Sequence, residues 1–131
     1  MIGLDTNLLV RIFAKDNPLQ EAMVLELLEQ LPEGERAVVN IVVIVELLWV
    51  LKRAYRFEQE VLVRVLRSMA ENKRLFLPNK EILLEAAHQV RENGGELPDM
   101  IIALLNREHG ASVTYTFDLE ASKLDDFQLL A

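Results

Sequence analysis

Residues 37–51 read AVVNIVVIVELLWVL, and the fold turns on whether this run is one strand or two elements. Its β-branched side chains favour a pleated surface, where a forked Cβ packs well against its neighbours. A single strand spanning all of it would far exceed the usual length of about 5–6 residues. Asn40 offers a break, because its side chain can take a hydrogen bond from the following backbone and so favours turns and helix caps. The run is therefore read as a second strand over 37–39, followed by a mostly buried helix over 41–55. Upstream, Met1-Ile2-Gly3-Leu4 is a short apolar run that stops at Asp5-Thr6-Asn7. It reads as a buried first strand that delivers a carboxylate to the edge of a sheet.

The rest of the chain continues the alternation. Residues 8–14 have helical apolar spacing, and Asn17-Pro18 gives a cap followed by proline at the first helical position. The helix that follows runs to about Leu31, with Leu19, Ala22, Met23, Leu27 and Leu31 as its apolar face. Another helix begins at Phe57-Glu58 and runs to about Asn72, with Val61, Val65, Leu66 and Met69 inward and Arg64, Arg67 and Glu71 in water. Residues 75–78 form the third strand. Asn79 caps a helix over 80–91, which Gly94-Gly95 terminates. Pro98-Asp99 opens an apolar helix closed by Gly110, residues 111–117 form the fourth strand, and the FQLL tail a fifth, edge strand. Strands joined through helices imply right-handed crossovers and a mainly parallel sheet in a single domain, residues 1–131. In such α/β folds the ligand site lies beyond the carboxyl ends of the strands, where Asp5 and Asp118 stand.

The composition, 51% hydrophobic with only 6% aromatic residues, describes an aliphatic core able to cover a sheet on both faces, with apolar surface left for a partner. A formal charge of −7 and a sequence pI of about 4.8 argue against coating nucleic acid through a broad basic face. They leave open an enzyme that reaches phosphates through bound cations. The absence of cysteine removes disulfides and thiolate metal sites and is compatible with a reducing cytoplasm. Asp5 interrupts the apolar start and no charged leader precedes it, so no signal peptide is read. The apolar run 41–51 contains Glu46 and is too short for a bilayer. A soluble cytoplasmic protein with no membrane association is expected.

Four acids are badly placed for plain solvation. Asp5 ends the first strand, Glu46 stands inside VVIVELLWVL, Asp99 opens an apolar helix, and Asp118 follows the fourth strand. Each has an ordinary explanation. Asp5 can cap the next helix, Glu46 can pair with Arg53, Asp99 can complement a helix dipole, and Asp118 can close a turn. Convergence is the alternative, and four carboxylates in one place require cations. Hard oxygen donors without cysteine point to Mg²⁺ or Mn²⁺, and a cation so held serves phosphodiester hydrolysis.

The ordered set Ile-Gly-Leu-Asp5-Thr6-Asn7, Glu46-Leu-Leu-Trp-Val-Leu, Asp99-Met-Ile-Ile-Ala-Leu and Thr116-Phe117-Asp118 resembles the PIN-domain ribonucleases, especially the VapC-type toxins of toxin–antitoxin pairs. The resemblance covers essentially the whole chain. It implies an α/β, PIN-like three-layer sandwich, with a central, mainly parallel sheet of about five strands in order 3-2-1-4-5. It also implies metal-dependent endonuclease activity on single-stranded or looped RNA, with Asp5, Glu46, Asp99 and Asp118 as the acidic cluster holding Mg²⁺ or Mn²⁺. Thr116 matches a hydroxyl residue near the first acid, and Thr6 and Asn7 shape the turn that holds it. A homodimer and a small antitoxin whose C-terminal segment covers the acidic cleft are implied as partners, with the aliphatic faces of residues 8–12 and 42–49 as candidate surfaces. Two positions depart from the family pattern. Asn40 stands where a serine or threonine is frequent at the end of strand two, and Glu96 where an aspartate often precedes the third acid.

Other classes fit less well. A signalling receiver domain needs an aspartate at the end of strand three, where Leu75-Phe76-Leu77-Pro78 has none. An aspartyl-nucleophile phosphatase wants a second acid where Asn7 stands. A solitary or RNA-processing PIN nuclease, and a PIN-like binding module with little catalysis, remain as alternatives. His88 and His109 lack a paired ligand at metal spacing, and Trp49 and Tyr55 read as core or interface. Arg11, Lys15, Lys52, Arg53 and Arg56 form either a local phosphate-contacting rim or ordinary solvated surface.

Overall fold

A computed structural model describes residues 1–131. They form two compact units, Met1–Lys80 and Glu81–Ala131. The first contains β1 (Ile2–Gly3), α1 (Thr6–Ala14), α2 (Pro18–Glu29), β2 (Ala37–Val38), α3 (Ile41–Arg53), α4 (Gln59–Glu71) and β3 (Leu75–Phe76). Its strands are parallel in the order β1-β2-β3, with Gly3 opposite Val38 and Val38 opposite Phe76. The ladder runs one residue beyond the strands. Leu4 N–H donates to the Val38 carbonyl at 3.0 Å and Val39 N–H to the Phe76 carbonyl at 2.9 Å.

The run 37–51 is a strand, a break and a helix, as its Asn40 indicated. The Asn40 side-chain oxygen accepts from Val43 N–H at 3.0 Å and caps α3. Val43, Ile44, Leu47, Leu48 and Leu51 are buried along one stripe at helical spacing. Glu46 falls off that stripe and is exposed, as are Val42 and Arg53 on the same side of the helix. The expectation that Glu46 is enclosed by its apolar neighbours is therefore corrected: those neighbours turn inward and the carboxylate turns out.

The expected facing of α2 is corrected as well. Asn17 caps the helix through Gln20 N–H at 3.1 Å, with Pro18 at its start, as read. Yet Val24 and Leu28 are the buried pair, while Leu19, Met23 and Leu27 are 74%, 63% and 41% exposed. The segment PLQEAMVLELLE is apolar nearly all round, so spacing alone fits more than one face. Packing against α1 puts Val24 and Leu28 inside.

The second unit contains most of α5 (Lys80–Asn93), then α6 (Leu97–Glu108), β4 (Thr114–Thr116), a short 3₁₀ turn at Ala121–Lys123, and β5 (Phe127–Leu129). β4 and β5 pair in parallel, with Thr114 opposite Phe127 and Thr116 opposite Leu129. Gly95, at φ +94°, does what only glycine can here: a Cβ would lie 2.5 Å from the Leu124 side chain. Asn106 on α6 donates to the Thr114 hydroxyl at 3.0 Å, and Arg107 pairs with Asp126.

The α/β class is thus as expected, with six helices and parallel strands, in a three-stranded and a two-stranded sheet. The strands are shorter than their apolar runs, although ladder hydrogen bonds continue through the flanking Leu4 and Val39. No helix is long and apolar enough to cross a membrane. In urea unfolding, Leu48→Ala is expected to cost about 2–5 kcal/mol, Asn40→Ala about 1 kcal/mol, and Met23→Ala less than about 0.5 kcal/mol. A Met23 cost equal to that of Leu48 would contradict the outward facing of α2.

Candidate active site

Asp5 is the first residue past the Leu4 ladder bond and the N-cap of α1, with extended backbone at φ −86° and ψ 163°. Its Oδ1 accepts from Thr6 N–H at 2.8 Å, satisfying one of the amide groups that a helix start leaves without a partner. Thr6 itself is buried, and its hydroxyl donates to Glu46 Oε1. One residue therefore holds two carboxylates, Asp5 through its backbone and Glu46 through its side chain. Thr6 and Asn7 are the first residues of α1 rather than part of a turn. Arg53, the partner considered for Glu46, lies instead over the Trp49 ring, 4.4 Å from its centroid.

Asp5, Thr6, Asn7 and Glu46 share an open cleft of about 350 Å³ with Arg11 and Tyr55. Arg11 Nη1 bonds Asp16 Oδ1 at 2.6 Å, and the Tyr55 hydroxyl donates to Asp16 Oδ2, also at 2.6 Å. The Tyr55 hydroxyl, and after it the Arg11 guanidinium, hold the Asp16 carboxyl below the ordinary carboxylate range. The same pairing raises Arg11 above its usual value, the hydrogen bond to Asp16 being the largest cause. Asp16 was missed by sequence reasoning, and no local signal marks it, since its Tyr55 partner is far away along the chain. Lys15 pairs with Glu21 at 2.9 Å.

In the second unit, Asp99 is half-buried in the first turn of α6. Thr116, at the end of β4, accepts on its hydroxyl from Asp118 N–H at 3.0 Å. Asp118 Oδ1 in turn accepts from Glu120 N–H at 2.9 Å, so Asp118 is exposed and held in a local turn. Of the two departures from the family pattern, Asn40 serves as the α3 cap and Glu96 stands at the N-cap position of α6. His88 and His109 are exposed.

Structure thus brings Asp5, Thr6, Asn7 and Glu46 together within the first unit, and Thr116 and Asp118 within the second. Neither unit by itself gathers three acidic or histidine side chains at metal-binding spacing. Mg²⁺ is typically bound by one or two carboxylates, with waters and phosphate oxygens completing its shell. The Asp5–Glu46 pair fits that pattern: both are exposed oxygen donors, and Thr6 engages one oxygen of each.

Comparison with protein families matches the PIN domain over residues 2–126. No curated protein and no solved structure matches the chain.

Two measurements check the local chemistry. Thr6→Val keeps the shape and removes the hydroxyl, and is expected to cost about 1 kcal/mol in urea unfolding. A carboxyl whose folded pKa is depressed contributes stability above its unfolded value, about 3.9, and loses it as pH falls through the lower folded value. Asp16→Asn is therefore expected to be less stable than the parent at pH 7, with the difference shrinking below about pH 4; a difference independent of pH would contradict the assignment.

Proposed function

The chain belongs to the PIN-domain family, and from that premise we propose that it is a Mg²⁺- or Mn²⁺-dependent endoribonuclease, the cytoplasmic toxin of a toxin–antitoxin pair. PIN domains are in general nucleases that act on RNA and use divalent metal ions. The observation that carries the proposal is the presentation of Asp5 and Glu46 on one cleft by Thr6. Asp99 and Asp118 complete the acidic set in this reading, with Thr116 and Asn7 in support. The family match runs through both compact units without a break.

When bound, a divalent cation supplies Lewis-acid stabilisation of charge at the phosphorus centre and acidifies a water. The chain's own part is orientation. Thr6 fixes one oxygen of each carboxylate and leaves the other for a ligand. Asp118 is held by two backbone-linked bonds in the turn after β4, and Asp99 is fixed to the first turn of a helix.

The toxin assignment draws on the outward apolar row Leu19, Met23 and Leu27 of α2, and on a groove of about 620 Å³ shared with Leu8 and Arg11 of α1. An exposed apolar surface of this kind is characteristic of protein contacts. A homodimer and an antitoxin are the partners proposed. The acidic cleft favours an antitoxin arginine or lysine as its plug.

With Mg²⁺ or Mn²⁺ added, the pure protein is expected to cleave a mixed RNA pool. EDTA should stop the reaction, and Asp5→Asn and Asp99→Asn should each slow it about 100-fold or more. Cleavage that survives EDTA, or both substitutions, sinks the mechanism. A short upstream reading frame with a DNA-binding fold would support the toxin role, and its absence would favour a solitary nuclease.

A further inference from the structure

The cleft that holds Asp5 and Glu46 poses an electrostatic problem for the substrate proposed above. An RNA phosphate entering it meets two carboxylates on a chain of net charge −7. Arg11 is the one cationic side chain that lines this cleft. It stands four residues after Asn7 on α1, so the two share a helix face beside the Asp5 cap. Of the other cations singled out in the sequence, Lys15 pairs with Glu21, Lys52 and Arg53 lie over Trp49, and the exposed Arg56 does not line the cleft.

Arg11 is also held in place. Its side chain is 26% exposed, against 69% for Lys15, and its Nη1 is bound by Asp16. Asp16 is fixed in turn from its other oxygen by the Tyr55 hydroxyl. A guanidinium carries five N–H donors in a planar fork; Asp16 takes one of them, and the Tyr55 hydroxyl also stands beside the group. The remaining donors suit the paired oxygens of a phosphate, and a clamped guanidinium loses less side-chain freedom on binding than a free one.

We propose that Arg11 contacts a backbone phosphate of RNA bound in the Asp5–Glu46 cleft, with Asp16 and Tyr55 as its positioning residues. The inference rests on the RNA-cleaving reading of the same cleft. It gives that reading a substrate contact made by the protein itself and independent of metal.

The test measures binding of a fluorescein-labelled, mixed-sequence single-stranded RNA with Ca²⁺ in place of Mg²⁺ over a range of KCl concentrations, alongside steady-state cleavage in Mg²⁺. Arg11→Ala is expected to weaken binding about tenfold and to reduce the slope of log K against log salt by about 0.7, the contribution of one single-strand phosphate contact. In cleavage, KM should rise with kcat little changed, because the lost contact is made equally in the ground and transition states. Arg11→Lys should keep the salt slope while recovering part of the affinity. Tyr55→Phe should raise KM less than Arg11→Ala and leave the slope intact, an outcome that a purely structural role for the network would not produce.

An Arg11→Ala protein that remains folded and binds with parental affinity and salt slope overturns the proposal while leaving the nuclease reading standing. Parental protein that binds RNA without cleaving it, with binding weakened by Arg11→Ala, supports the contact and removes the nuclease reading. Absence of RNA binding by the parental protein overturns both.

Discussion

Two carboxylates from distant parts of the chain meet at Thr6, one held by its backbone N–H and the other by its hydroxyl. Parallel strand pairing sets up that meeting. β1 and β2 run side by side and are locked in register by the Leu4-to-Val38 bond, so they end at the same level. Each is followed almost at once by a side-chain cap, Asp5 for α1 and Asn40 for α3. The two helices therefore start next to each other and pack together, and Glu46 on α3 comes within reach of Thr6 on α1. Slipping the register of β1 against β2 would separate the helix starts and break the Thr6–Glu46 bond.

The two caps do the same backbone work with different charge. An aspartate and an asparagine satisfy helix amides about equally well. The negative charge at position 5 is thus more than capping alone requires, whereas the neutral amide at position 40 is sufficient for its task. The Asp5 charge complements the dipole at the head of α1, and on the proposed reading it also serves the chemistry, whereas Asn40 only caps α3. Beyond α1, the chain turns at Lys15 with a left-handed backbone of φ 56°, and Asp16 lies immediately past that turn, where it meets both Arg11 and Tyr55. The network therefore joins both ends of α1 to a single cleft.

What the sequence made legible was local chemistry. The Asn40 break, the Asn17-Pro18 start and the glycines after α5 each act within a few residues, and each element they delimit lies where the residues placed it. The four acids could also be singled out, because an acid among aliphatics stands out in any order. The faces of helices were less readable. α2 is apolar nearly all round, so Leu19 and Met23 looked as suitable for the core as Val24 and Leu28, and only packing against α1 decides between them. Glu46 looked enclosed because its neighbours in sequence are apolar, although on a helix adjacent residues point about 100° apart. The Thr6–Glu46 and Tyr55–Asp16 bonds span 40 and 39 positions, and no periodicity reaches that far.

The acidity of the chain bears on how it handles a polyanion. A broad basic face gives tight but indiscriminate binding, dominated by counterion release and steeply weakened by salt. In the reading proposed above, a cleft with one oriented guanidinium and two carboxylates that take up a cation confines the attraction to a single place. Elsewhere RNA meets a chain whose net charge, −7, has the same sign as its own. On the proposed reading, binding is conditional on two arrangements forming together: the carboxylates charged with metal, and Arg11 held at the cleft by Asp16. The first depends on Thr6 and the second on Tyr55, which stands just beyond the end of α3. Both conditions thus depend on where α3 lies against α1, and that placement follows from the pairing of β1 with β2.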